Sequence, residues 1–452
     1  MLTIQTPSNY LARVVRLENG KTHPNADRLL IWDINGYSVI TDLSRKPGDI
    51  CIYFPVECQI DNKILSKMNL FSDKDLNEDK TVSGYIHKSG RVRAVKLRDV
   101  VSEGMILPAE QVFDEREFSN YLALTGKTSW VHYIGEEFDS INGQIICQKY
   151  VPVIKEVRSG GGTGEKKGPK INDILLPGQF NFHYSTSKLQ DNIHKFENED
   201  DLIVITSKWH GTSAVFSNLL TKRKLSIWEY IKRFFGSNIS TVEYSKMYAS
   251  RTVLKSVEGK YRTPEGGYYN SDIWGKVFEE IKPVLFKGYT IYGEIVGYTG
   301  EKMIQKNFDY GCKPGEHKFL VYRITETKSD GTIDEYSWLE IKDFCTEYNL
   351  QTVPELYYGK IGRFLSQENH KLIFGVPNSG TYTHVLSNRN LLNTLKEVYL
   401  EKDCEYCINK VPAEGICIRN ESTEHKTAYK LKSRLFLELE TKQLDAGEEV
   451  IE

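Results

Sequence analysis

A lysine stands where an apolar run gives out. Leu202 to Ile205 leads into Ser207-Lys-Trp-His-Gly211, and apolar residues resume at Ala214, Val215 and Phe216. The pattern predicts a strand ending on Lys208, a tight bend, and a second strand leaving it. At its ordinary pKa, near ~10.4, a lysine amine is protonated and a poor nucleophile. Partial burial or a second cation nearby lowers that value and frees the lone pair. The chemistry open to Lys208 is therefore covalent catalysis on an electrophile, provided other lysines and a carboxylate converge on it. By itself K-x-H-G says little, because short strings recur by chance.

Three later segments carry suitable groups. Tyr292-Gly-Glu-Ile-Val-Gly297 sets Glu294 inside an apolar strand bracketed by glycines. Glu414-Gly-Ile-Cys-Ile-Arg419 repeats the device with Glu414. In Tyr429-Lys-Leu-Lys432, Lys430 and Lys432 share one face of a strand, since strand side chains alternate with period two. A lone strand glutamate usually faces solvent, and Lys-x-Lys is usually a wet edge. A buried carboxylate, however, costs free energy unless it is paired, hydrogen-bonded or bound to metal. Two such carboxylates and three such lysines exceed what an ordinary core holds.

The elements that must position these groups fall into two parts. LARVVRL, LLIWDI, YSVIT, ICIYFP, RVRAVKL and GMILP read as short strands at the spacing of a small β-barrel. LIVITSK, SAVFSNLL, TIYGEIVGY, KFLVYRI and GICIRN read as strands of the second part, with WEYIKRFF and LLNTLKEVYLEKD as helices. They do not alternate regularly, which favours an α+β domain of mainly antiparallel sheets. Between the parts, RSGGGTGEKKGPK is charged, glycine-rich and aperiodic, so 158–170 reads as a flexible linker. Lys222, Arg223, Lys224, Lys232 and Arg233 make residues 221–236 locally basic; the first account is a solvated helix face, the second a nucleic-acid contact.

At 452 residues the chain is long for one core, and its net charge of −2 excludes a global basic field. No apolar run approaches the ~18 residues of a membrane span. The N-terminus lacks the pattern of a signal peptide. Eight scattered cysteines suggest buried thiols in a reducing, cytoplasmic setting. The pair Cys404 and Cys407 has no second pair to complete a zinc site.

Taken in order, K-x-H-G, then Ser250-Arg251, the Gly-Glu strand, the aromatic strand FLVYRI, Glu-Gly and K-x-K resemble the covalent nucleotidyltransferases, over roughly residues 175–440. Histidine at the third place of the first motif is similar to RNA ligases rather than DNA ligases or capping enzymes. THPNADRLLIWDINGYSVIT and RVRAVKLRDVVSEGMILP resemble the N-terminal OB barrel of the Naegleria-type RNA ligases, and FNFHYSTSKLQDN their approach to the catalytic lysine. The resemblance implies an OB-fold RNA-binding domain over 1–157, the linker, and a nucleotidyltransferase domain over 171–452. The expected protein is an ATP-dependent RNA ligase, a monomer without a membrane partner. It would seal nicked duplexes or broken RNA ends with Mg²⁺ or Mn²⁺.

Residue roles follow from the same resemblance. Lys208 would carry AMP, with Lys430 and Lys432 stabilising charge on the α-phosphate. Ser207, His210, Gly211, Arg251 and Glu294 would line the nucleotide, Tyr322 would stack on adenine, with Phe319 the other candidate, and Glu414 would hold the metal. Lys88, Arg91, Arg93, Lys96 and Arg98 are candidates for RNA phosphates, set against a solvated barrel surface. Three features depart from the pattern. Ser207 stands where several relatives have glutamate, Arg323 follows Tyr322 where relatives have aspartate, and 219–247 is an insertion. Two alternatives stay open: a DNA ligase or guanylyltransferase, and an RNA- or tRNA-binding protein with an inert second domain, since HPNADRL resembles tRNA-binding barrels.

Overall fold

The structure, a computed structural model, describes residues 2–112, 129–151, 171–262, 271–366 and 388–446. The linker 158–170 lies outside those residues. In the front part, β1 (Ala12–Arg16), β2 (Ala26–Ile34), β3 (Tyr37–Asp42), β4 (Ile50–Pro55), β5 (Val95–Leu97) and β6 (Gly104–Pro108) fall on the expected runs. β4 pairs antiparallel with β1 on one side and β6 on the other. Its residues feed two cores alternately: Ile52 and Phe54 pack with Val14 and Leu107, whereas Cys51 and Tyr53 pack with Trp32 and Val39. Burial on both faces is why ICIYFP is apolar throughout. β5 is shorter than the sequence predicts. The backbone of Val92 bonds Glu57 and Cys58 instead of extending the ladder.

The second part is built from two sheets. One runs β14 (Ala428–Lys432), β13 (Gly415–Asn420), β7 (Leu202–Lys208), β12 (Glu355–Lys360). The other contains, side by side, β9 (Val242–Ser250), β8 (Thr212–Lys222), β10 (Tyr289–Thr299) and β11 (His317–Thr327). All these ladders are antiparallel. β7 and β8 are consecutive in sequence but belong to different sheets, so the bend at Trp209–Gly211 carries the chain across the seam.

Among the described residues, five helices of eight residues or more accompany the sheets: α1 (Ile227–Phe234), α2 (Ile273–Ile281), α3 (Trp338–Glu347), α4 (Asn388–Tyr399) and α5 (Arg434–Asp445). Trp274 and Phe278 of α2 and Trp338 and Phe344 of α3 pack on Phe216, Ile291 and Val321. Leu391 and Leu395 of α4 cover Ile203, Ile205, Ile416 and Leu431 of the other sheet. α1 lies in the connection between β8 and β9 and joins none of these cores. The front part docks on α5, where the backbone N–H of Ala94 donates to Thr441 Oγ1 at 3.2 Å. Arg13 and Tyr37 meet Asp191 at 2.9 and 3.1 Å.

Candidate active site

Sheet register brings the distant motifs together. Lys208, the last residue of β7, faces Gly415 across the ladder, and Gly415 faces Lys432 on β14. Glu414 therefore arrives beside both lysines. The Lys208 ammonium lies 2.6 Å from Glu414 Oε1, and Lys432 Nζ lies 3.7 Å from the same oxygen. Gly415 adopts φ +143°, and a Cβ there would stand 2.1 Å from the Leu431 carbonyl oxygen. Only glycine lets β13 start so close to β14. Across the seam, Glu294 on β10 pairs with Ser213 on β8. Its Oε1 accepts the Gly211 N–H at 3.1 Å, and a Cβ on Gly211 would stand 2.4 Å from the Ile295 carbonyl oxygen.

Lys208, Gly211, Ser213, Glu294 and Glu414 line one cavity between the two sheets, with Ser207, His210, Arg251, Tyr322 and Lys430. Ser207 is tied through its N–H to the Pro354 carbonyl, and Arg251 donates to Ser185 Oγ at 3.1 Å. The His210 ring packs edge-on between Phe308 and Phe436, and its backbone N–H donates to Tyr310 Oη at 2.6 Å. Tyr322 Oη shares a hydrogen bond with Ser213 Oγ at 3.1 Å. Phe319 is not in the cavity. It lies in the core under Gly293, where a Cβ would meet its ring at 2.3 Å, and against Phe216. The glycine of the Gly-Glu pair thus makes room for Phe319, and Tyr322 is left as the cavity aromatic of β11.

Electrostatics differ from the sequence expectation at the lysine. Burial is the largest influence on Lys208 and acts to lower its pKa, but Glu414 together with Cys417 and Glu294 leaves the net value raised. The resting amine is an ammonium clamped by a carboxylate, not a free nucleophile. Burial works against ionised Glu414 too, yet Lys208 and Lys432 hold its pKa down to about 2. Glu294, with weaker compensation, is pushed up to about 8 by burial. One carboxylate is anionic and the other carries a proton at neutral pH.

Several cavity residues were not singled out in the sequence. His183 sets its ring against Tyr322 at 5.0 Å, with its Nδ1 buried and without a partner among the described residues. Burial, then the cations Arg323, Arg251, Lys208 and Lys430, lower its pKa to about 3, so the imidazole is neutral. Arg323 forms a two-pronged pair with Glu335, both contacts 2.8 Å, and both residues line the cavity. Glu335 thus brings a carboxylate to the cavity wall beside the position after Tyr322. Lys432 is held by Glu440 of α5 at 2.8 and 2.9 Å. A second cavity shares Lys430 with the first and is lined also by Tyr10, Tyr37, Lys188 and Lys432, which places it between the front part and the sheets.

The basic residues of the front part do not form one stripe. Arg91 is buried, 2% exposed, and bonds Glu57, Asp445 and the Thr441 carbonyl. Arg93 shares Asp445 at 3.0 Å. Both arginines fasten the front part to α5, which takes Arg91 away from any phosphate. Lys88, Lys96 and Arg98 are exposed, with Asp99 3.9 Å from Lys96.

An aromatic lining beside lysines, arginines and carboxylates suits a nucleotide and its phosphates. A family model described as RNA ligase matches residues 201–432, just over half of the chain and every strand from β7 to β14. The chain belongs to the RNA ligase family. A model of an OB-fold domain matches residues 11–109. Among solved structures, a mutant RNA ligase of Naegleria gruberi with AMP and Mn is similar at a TM-score of 0.54 and 15% identity, over 95% of this chain and 98% of that one. Another mutant of that ligase, with ATP and Mn, gives 0.55 and 16% over the same shares. The ligase with PPi gives 0.52 and 16% over 96% and 99%. At such identity the likeness is one of fold: an N-terminal OB domain before the ligase domain. No curated protein matches the sequence.

Proposed function

We propose that this RNA ligase is ATP-dependent and joins a 3′-hydroxyl to a 5′-phosphate through AMP held on Lys208. The observation that carries the reading is the Lys208–Glu414–Lys432 cluster at the end of β7, at 2.6 and 3.7 Å. Lys208 Nζ, once deprotonated, attacks the α-phosphorus; an N–P bond forms, the α–β bridging P–O bond breaks and pyrophosphate leaves. An RNA 5′-phosphate oxygen then attacks the same phosphorus and Lys208 is released. Finally the 3′-hydroxyl attacks the activated 5′-phosphorus and AMP departs. Each step shifts negative charge about one phosphorus, so positioned cations carry the catalysis.

Each side chain has a part. Lys430 and Lys432 meet the charge building on the α-phosphate. Arg251 grips a phosphate as a planar fork. Tyr322 stacks on the adenine, with the His183 ring set edge-on against Tyr322, while Ser207, His210 and Gly211 form the wall behind the phosphate. Glu294, protonated, can donate a hydrogen bond to a ribose oxygen.

The site also fits a divalent cation. Glu414 Oε2 is buried and has no hydrogen-bond partner among the described residues. A hard carboxylate oxygen suits Mg²⁺ or Mn²⁺, and no group of three or more His, Cys, Asp or Glu among the described residues offers a complete cage. Glu414 would hold the ion, with phosphate and water completing its shell; when bound it supplies positive charge against the phosphates.

We place the RNA-binding module at 1–157 and the catalytic domain at 171–452. Lys88, Lys96 and Arg98 are its exposed candidates for RNA phosphates. Incubation with α-labelled ATP or GTP tests the first step. A Lys208-dependent adduct from ATP is the expected result, and an adduct from GTP alone would overturn the reading. A sealing panel with RNA or DNA separately at the two strand ends tests the rest. RNA binding without any adduct would instead favour the inert-domain alternative.

A further inference from the structure

The insertion that the sequence reading left without a role forms a complete two-turn helix that buries nothing. In α1, Ser226 and Glu229 make both halves of a capping box, and Arg223 pairs with Glu229. At the other end the Phe235 N–H bonds the Ile231 carbonyl, and Gly236 turns the chain at φ +90°. A helix this short is marginal alone, so its capping at both ends makes it preformed. Yet Ile227, Trp228, Tyr230, Phe234 and Phe235 are 68–81% exposed, and Ile231 is 40% exposed. None of the six belongs to a hydrophobic core of the described residues. Lys232 and Arg233 are exposed, as a solvated helix face requires, and the apolar face of the same helix is turned to water as well.

The arrangement of that face identifies what covers it. At 100° per residue the six side chains fill one unbroken arc of about 160°. Ile227, Ile231 and Phe234 form its centre. Trp228 and Tyr230 stand near its two margins. Lys232 and Arg233 lie just outside, and Glu229 is opposite. Apolar side chains in the middle, amphipathic rings at the margins and cations beyond them is the order in which a bilayer changes from acyl chains to headgroups. Residues 222–235 hold five basic residues and one acidic, a local charge of +4 in a chain of −2. Single-stranded nucleic acid would want flat rings at the centre of the arc, where this face has two isoleucines. A second copy would bring two segments of like charge together.

We propose that α1 is a surface-lying anchor that docks this ligase on an anionic lipid bilayer. The sequence excludes a spanning segment, and no helix among the described residues is long and apolar enough to cross a membrane; lying on a membrane is a different mode. The test is flotation of the full-length protein with phosphatidylcholine vesicles, with and without phosphatidylserine. Its comparison is the triple variant Trp228→Ser, Phe234→Ser, Phe235→Ser. Wild-type protein is expected to float with the serine-lipid vesicles, to be weakened by salt, and to lose at least about tenfold in partitioning in the variant. Trp228 emission should be quenched by brominated lipid, and the loss of that quenching in Trp228→Tyr separates insertion from charge adsorption. The variant removes no core contact, so wild-type melting and adduct formation confirm its fold.

Three results would overturn the proposal. One is equal partitioning of wild type and variant. Another is absence of vesicle binding with a drop in RNA affinity in the variant, which makes the face an RNA platform. The third is absence of vesicle binding with loss of a dimer in the variant, which makes it a self-association face.

Discussion

Lys432 has two duties that a paired substitution can separate. Its ammonium bonds both oxygens of Glu440, at 2.8 and 2.9 Å, and stands 3.7 Å from Glu414. The side chains of Lys432 and Glu440 are 11% and 6% exposed, so this is a buried ion pair. Removing one member of such a pair costs about 3–5 kcal/mol, because the other is left charged in a poor solvent, whereas replacing both by apolar groups is often close to neutral. Lys432→Met should therefore destabilise the protein by ~3–5 kcal/mol, and Lys432→Met with Glu440→Leu should recover most of that loss. Transfer of AMP should not recover. A missing cation beside the reacting phosphorus should leave single-turnover adduct formation roughly 100-fold slow or worse in both variants. Urea unfolding gives the first quantity and rapid-quench labelling with ATP the second. If adduct formation returned together with stability in the double variant, Lys432 would be only a counter-ion to Glu440.

Gly415→Ala should cost ~3 kcal/mol or more, since the backbone is left-handed there and the new methyl meets the Leu431 carbonyl; thermal melting checks it. Asp309 accepts N–H bonds from Gly311, Ile408 and Asn409 at 2.7, 2.9 and 3.1 Å. Burial opposes its ionisation, but those bonds outweigh it and the pKa is lowered. Its folded value lies below the unfolded one, so its stabilisation is full above the ordinary aspartate range, near ~3.9, and fades as pH falls below it. The gap in urea midpoint between wild type and Asp309→Asn should accordingly be constant near neutrality and close in acid. Arg91→Ala should loosen the front part from α5, lowering the melting temperature with RNA affinity per folded molecule unchanged. Lys96→Ala with Arg98→Ala should leave melting unchanged and reduce the salt dependence of RNA binding by about 1 to 2 in log–log slope.

How far the sequence carries can be seen residue by residue. Lys208, Glu294, Glu414, Lys430 and Lys432 were legible because each sits in a strand, or in the case of Glu414 just before one, with a distinctive neighbour. Choosing between Phe319 and Tyr322 needed more than alternation. The β10–β11 register shifts between Tyr292 and Gly293, and Gly293 is the only local hint that a ring is buried there. Arg91 was misread because its partner Asp445 is 354 residues away, and no local pattern announces such a pair. For the same reason the clamp of Lys208 by Glu414 was missed: proximity of the two motifs was expected, but which charge effect wins depends on a 2.6 Å contact. His183 had a readable signal, an uncommon histidine among aromatics just before the catalytic domain's first strands. Reading it required knowing that β11 lies beside it.

β8 is one strand with two dissimilar ends. It starts at Thr212, four residues past Lys208, and finishes at Lys222, inside the insertion and five residues before α1. Ten steps of about 3.3 Å separate those ends by roughly 33 Å. Such a spacer is stiff, because ladders on both sides brace it. Cargo or scaffold at the outer tip is thus kept at arm's length from the bond-making groove. Natural variation can lengthen, shorten or restyle that tip while the inner end stays in register.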